Sequence, residues 1–222
     1  MTRQTGLRRF VGSEGREPTR GATQDLATPM TERCGLCDTP VEDRHRHIVD
    51  RHDHRLVCAC QACYLLFTGE WNGGRYKAVP RRYLSDPRHP ITAAAWESLQ
   101  VPVGMAFFIP GMADQQVAAF YPSPAGATEC LLDLTAWNRL AEDLPLLSAA
   151  EPEVEAILVR RTVDGVQGYL VPVDICYELV GGMRANWRGF DGGAEAKAQI
   201  DTFFDTVARR ARELATTEGS GP

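Results

Sequence analysis

No stretch of the 222-residue chain approaches the ~18 consecutive apolar residues of a membrane helix, so no helical membrane span is expected. Lysine is nearly missing: of 24 basic residues, all but Lys77 and Lys197 are arginine. In a chain this rich in Ala and Gly, that bias fits a GC-rich genome more simply than a phosphate-binding role. Histidine stops at His89, which leaves the second half without the commonest general base. There is no nucleophile elbow, Walker loop, dinucleotide fingerprint or H-E-x-x-H, so no catalytic set is expected. An apolar core behind Arg8, Arg9 and Phe10 is also missing, which removes the reading of a twin-arginine export signal. The expected compartment is therefore the cytoplasm, where clustered cysteines point to metal rather than to disulfides.

What the chain does have is concentrated between Cys34 and Cys63. That stretch holds five of the seven cysteines and four of the five histidines. Cys34/Cys37 and Cys60/Cys63 form two C-x-x-C pairs around residues 38 to 59, a gap slightly longer than the usual four-thiolate zinc spacing. Two residues between thiolates let one tight turn aim both sulfurs at a single ion, and a second such turn completes a tetrahedron. Between the pairs, His45 to Asp50 and His54 to Ala59 read as a hairpin, and the second pair runs straight into the apolar Tyr64 to Phe67. Knuckle, hairpin and short helix in that order resemble a treble-clef zinc finger. Asp38 and Tyr64 stand where a rubredoxin-like or ribbon knuckle usually has glycine, so zinc is preferred and iron is the alternative. The site would be structural, since a closed tetrahedron has no open position for substrate.

Cys58 reads as a small apolar strand residue or as a free thiol near the metal. His45 and His47 share one strand face, and His52 and His54 flank the hairpin tip. Imidazoles at such spacing can chelate a transition metal, but the alternating Arg and Asp around them equally describe a solvated hairpin surface. Cys130 and Cys176 have no neighbouring Cys or His and read as core.

The rest of the chain divides by composition. Residues 1–30 lack any apolar period and read as a flexible arm. The finger module covers 31–68, a turn-rich connector 69–91, an α+β domain 92–216 and a disordered tail 217–222. In the domain, strands are expected at 103–109, 116–121, 129–134, 154–161 and 168–171. Helices are expected at 93–99, from a Thr135 cap to about 147, from an Asp174 cap to about 187, and at 194–214. The expected fold is an antiparallel sheet of about five strands covered on one face by helices. Net charge is −5, but residues 1–90 carry 15 basic against 11 acidic side chains and residues 91–222 carry 9 against 18. Trp71, Tyr76 and Tyr83 among arginines could suit single-stranded nucleic acid, yet the acidic second half supplies no basic face, so nucleic acid is not the expected partner.

The segments CGLC, HRHIVD, LVCACQACYLLF, VPVGMAFFIP, FYPSPAGATE, VEAILVRR, GYLVPVDICYELVGGMR and WRGFDGG resemble a family of actinobacterial-type proteins associated with nickel-iron hydrogenase gene clusters. The likeness spans nearly the whole chain after the arm. It implies a non-enzymatic accessory role in maturing or assembling a hydrogenase, or in delivering electrons to it, through contacts with its subunits or maturation factors. It supplies no catalytic residue, and only the four paired cysteines carry over, as metal ligands.

Overall fold

Apolar alternation and a polar tip build the first sheet. Strands β1 (Arg46–Asp50) and β2 (Arg55–Ala59) pair antiparallel, with His47 opposite Cys58 and Ile48 opposite Val57. His54, at the tip, takes the left-handed φ of +53° that lets so short a turn close. On the other edge of β1 lies β3 (Tyr76–Ala78), giving the order β2-β1-β3. Helix α1 (Gln61–Phe67) follows β2 directly. The residues described by this computed structural model are 32–69, 73–111, 117–123, 125–188 and 193–215. The arm at 1–30 and the tail at 217–222 lie outside them.

Asp50, at the end of β1, is 2% exposed, and Arg75 Nη2 donates to it at 2.7 Å. This pair ties the hairpin to β3. The Arg75 hydrogen bond, working against burial, holds the Asp50 carboxyl below its ordinary value. A carboxyl depressed on folding contributes stability that is present above its unfolded pKa and lost as pH falls through its folded one. Urea midpoints are therefore expected to drop from about pH 5 downward. That drop should be shallower in Asp50→Asn, and an unchanged slope would remove Asp50 from the account.

The second sheet has seven strands in the order β10-β4-β9-β8-β5-β6-β7. Its centre is β5 (Met105–Pro110) against β8 (Glu155–Thr162), flanked by β6 (Val117–Ser123), β7 (Gly126–Cys130) and β9 (Gly165–Pro172). Two-residue strands β4 (Leu84–Ser85) and β10 (Arg212–Glu213) extend one edge, and theirs is the one parallel pairing among the described strands. The α+β class and the antiparallel sheet are as expected, and the sheet is larger than the five strands anticipated.

Helices lie on both of its faces, because residues 105–110 of β5 and 156–159 of β8 form unbroken apolar runs. Phe107, Ile109, Ala156 and Leu158 face α5 (Val173–Asn186) and α6 (Gly193–Arg210). Ala106, Phe108, Ile157 and Val159 face α2 (Ala93–Ser98), α3 (Leu134–Asp143) and α4 (Pro145–Ala149). Strands buried on two sides read as continuous apolar runs. Each fully covered Phe adds about 1.5–3 kcal/mol.

Several local expectations shift for identifiable reasons. Asp133, not Thr135, caps α3, accepting from the amides of Thr135 and Ala136. Pro145 lacks an amide hydrogen and starts α4 as a separate turn. Helix α5 begins at Val173, so Asp174 sits inside the first turn rather than before it. Helix α6 stops at Arg210 because Arg212 and Glu213 pair with β4. The connector carries two of the strands, sending β3 to one sheet and β4 to the other.

Tyr83 in that connector is buried beneath the Arg210 guanidinium, 3.9 Å from its ring centre, and Tyr76 packs edge-on against Phe67. Both aromatics staple the loop to its own chain. Cys176 is fully buried in the α5 core, and Cys130 is half-buried on β7.

Candidate metal centre

The first cysteine pair sits on a tight turn. Cys34 accepts the Asp38 amide at 2.9 Å and donates its own amide to the Thr39 carbonyl at 2.8 Å. Gly35 is pressed against β2, where its amide donates to the Cys58 carbonyl at 2.8 Å and a Cβ would lie 2.7 Å from Val57. Only glycine fits there without displacing Val57. Asp38 occupies the position after Cys37 with φ +61°, held by Arg33 at 2.8 Å. The left-handed turn that glycine usually supplies is thus made by an aspartate, a residue that tolerates this region. The Asp38 identity therefore does not argue against a knuckle of either metal type.

The second pair is carried by the start of α1. Cys60 is the N-cap, and its sulfur accepts the Cys63 amide at 3.4 Å. Cys63 then lies in the first turn, facing back toward the knuckle. All four sulfurs come within 4.8 Å of one another, and Cys37 Sγ to Cys60 Sγ is 3.7 Å. A tetrahedron with metal–sulfur arms of about 2.3 Å has edges of about 3.8 Å. The four cysteines can therefore close on one ion with little movement. Cys34 and Cys63 are buried, Cys60 is half-buried and Cys37 is exposed.

Two of the four sulfurs, those of Cys37 and Cys34, sit where the anion is favoured. The Thr39 hydroxyl and amide, then the Cys63 and Cys34 thiols, hold Cys37 down at about 6. Burial works against ionisation of Cys34, but the backbone of Cys60, Leu36 and Cys37 outweighs it and lowers that thiol as well. Burial raises Cys63 far above its ordinary value, and sharing hydrogen with the neighbouring sulfurs adds to the rise. Without a cation, the knot would thus keep at least one proton; a divalent ion would displace it. The apolar support is small: among the described residues, Leu36, Val41 and Phe67 join the cysteines in this cluster.

Beside the knot stands a second group. His45, His47 and Cys58 each offer a donor atom, all within 4.8 Å of one another. His45 Nδ1 lies 2.8 Å from the Glu42 carbonyl, and His47 Nδ1 lies 2.9 Å from the Asp174 carboxylate. The contact to Asp174 crosses 127 residues and is invisible to any local pattern. The pairing of His47 with Cys58 was within reach, because a hairpin tip at 51–54 puts those two residues opposite each other. Burial raises the Cys58 thiol, and nearby Glu32 and Cys34 add to the rise. His54 is turned inward with Nδ1 buried and unpartnered, whereas His52 is exposed.

Most arginines around the finger are held within the chain: Arg33 by Asp38, Arg51 by Glu153, Arg55 by Asp53, Arg75 by Asp50. Leu65 and Leu66 on α1, by contrast, are 63% and 68% exposed, two and three residues beyond Cys63. Among the described residues no helix is long and apolar enough to cross a membrane. The profile of DUF5947, a family of unknown function, matches residues 33–211. No curated protein and no solved structure matches the chain.

Proposed function

We propose that this chain, which belongs to DUF5947, a family of unknown function, is a non-enzymatic accessory protein whose four-cysteine knot holds a structural zinc ion. The observation that carries this reading is the convergence of the Cys34, Cys37, Cys60 and Cys63 sulfurs within 4.8 Å of one another. Four thiolates fill a zinc coordination sphere, so the ion would fix shape and leave no position for substrate. What it fixes is the knuckle against α1, and α1 presents Leu65 and Leu66 to solvent. Exposed apolar pairs on a rigid element suit a protein contact better than a nucleic acid. The finger's paired arginines point the same way, because charges already neutralised within the chain contribute little to phosphate binding.

The partner we assign is a subunit or maturation factor of a nickel-iron hydrogenase. Its support is the motif resemblance of the segments from CGLC to WRGFDGG.

Metal content and binding test the two halves separately. The purified chain is expected to carry zinc and to be colourless, and serine at Cys34, Cys37, Cys60 or Cys63 should abolish that occupancy. A red protein that bleaches on reduction would replace zinc by iron and turn the reading into an electron carrier. Leu65→Ser with Leu66→Ser should keep the zinc and lose binding to purified hydrogenase subunits or maturation factors. Failure of the unaltered chain to bind any of them would overturn the assigned partner.

A further inference from the structure

We infer that His45, His47 and Cys58 form a second metal site, a three-donor site for a late first-row transition ion, distinct from the four-cysteine knot. The strand register creates it. His47 and Cys58 are directly opposed on β1 and β2, and opposed side chains share one face of the sheet. His45 lies two residues before His47, and the two imidazoles meet edge-on with centroids 4.6 Å apart.

The hydrogen bonds of the two rings prepare them as ligands. A carbonyl oxygen can only accept, so the Glu42 carbonyl fixes the proton of neutral His45 on Nδ1 and leaves a lone pair on Nε2. That Nε2 is fully buried and has no protein partner. The His45 side chain as a whole is 6% exposed, so solvent does not satisfy it from outside. Burying an acceptor without a partner is costly, and a bound cation relieves that cost. The Asp174 carboxylate does for His47 what the carbonyl does for His45, and a carboxylate behind an imidazole is the arrangement that orients metal-binding histidines.

Two borderline nitrogens and one soft sulfur select Zn, Co, Ni or Cu over Mg or Ca. Three protein donors also leave a coordination position for water or an external ligand, unlike the closed knot. The two sites share a wall, since the Cys58 carbonyl accepts the Gly35 amide from within the first knuckle.

The test uses the full chain with its knot already loaded with zinc and cobalt(II) as the probe. One further cobalt per chain is expected, with a near-ultraviolet thiolate-to-cobalt charge-transfer band. Cys58→Ser should abolish the band. His45→Gln and His47→Gln should each weaken cobalt binding by at least about tenfold, and the glutamine at 47 can still donate to Asp174. Asp174→Asn, which removes no ligand, should weaken it by about 10- to 100-fold, with zinc in the knot unchanged.

No cobalt beyond the zinc already present, or a band that survives in Cys58→Ser, would overturn the site. The latter would mean that cobalt had exchanged into the knot. If Cys58→Ser proves unfolded by circular dichroism, the histidine variants decide by the same titration. Repeating it on Cys37→Ser with and without Cys58→Ser separates the two sites: a band that is present in the single variant and lost from the double one belongs to Cys58, whereas a band that survives in the double variant comes from the remaining knot thiolates and overturns the site.

Discussion

Chelation of the zinc-loaded protein is expected to melt the knuckle and α1 while β1 and the seven-stranded sheet stay folded. Apparent binding free energies of structural zinc are about 10–16 kcal/mol, comparable to the whole stability of an ordinary domain. The knot has no apolar core of that size behind it, only Leu36, Val41 and Phe67 around the cysteines. Strand β1 is different. Val49 on it, with Leu56 on β2 and Val79 after β3, packs into the core formed by β5, β8 and α5. Amide hydrogen exchange should therefore accelerate over residues 33–41 and 60–68 once the ion is gone, with much less change at 46–50. Protection that survives complete removal of metal at 33–41 would show that the sulfurs do not hold this module together.

The second large effect is expected at Arg82. Its guanidinium makes two 2.7 Å hydrogen bonds to Glu155, whose side chain is wholly buried at the start of β8, and a third at 2.8 Å to the Ala149 carbonyl. Arg82→Ala leaves the carboxylate accepting from the Glu151 amide at 2.7 Å, with its charge no longer compensated. Stranding a buried charge in this way costs about 3–5 kcal/mol. Arg82 is itself 46% exposed, so water entering the gap should hold the loss near the lower end, about 3 kcal/mol. Urea unfolding measures it. The double variant Arg82→Ala with Glu155→Ala should recover part of the loss, because the uncompensated charge is gone. A double variant no more stable than the single one would mean that Arg82 acts through packing.

Local chemistry made the four-cysteine site legible, because each pair is organised by its own turn and needs only the hairpin to bring the two together. The hairpin and most of the domain's strands and helices were legible for the same reason, being set by alternation, caps and turn residues. What escaped depends on distant partners. Strands β4 and β10 have two residues each and no pattern of their own; they exist because β4 lies beside β9 and β10 beside β4. The second helical layer was hidden because the unbroken apolar run of β5 reads as one buried strand without saying what lies on each side. Asp174 looked like a helix cap, and its link to His47 becomes visible only when α5 is folded beside the finger.

That link, together with Arg51 to Glu153 across 102 residues, joins the two halves of the chain. On the ribosome the finger emerges first, and at ~5–20 residues per second about 6–25 s pass before Asp174 is made. Until then Val49, Leu56 and Val79 lack the cover that α5 supplies. For that interval the nascent chain presents an oily strand face, and early capture of the ion would keep it from straying into wrong pairings.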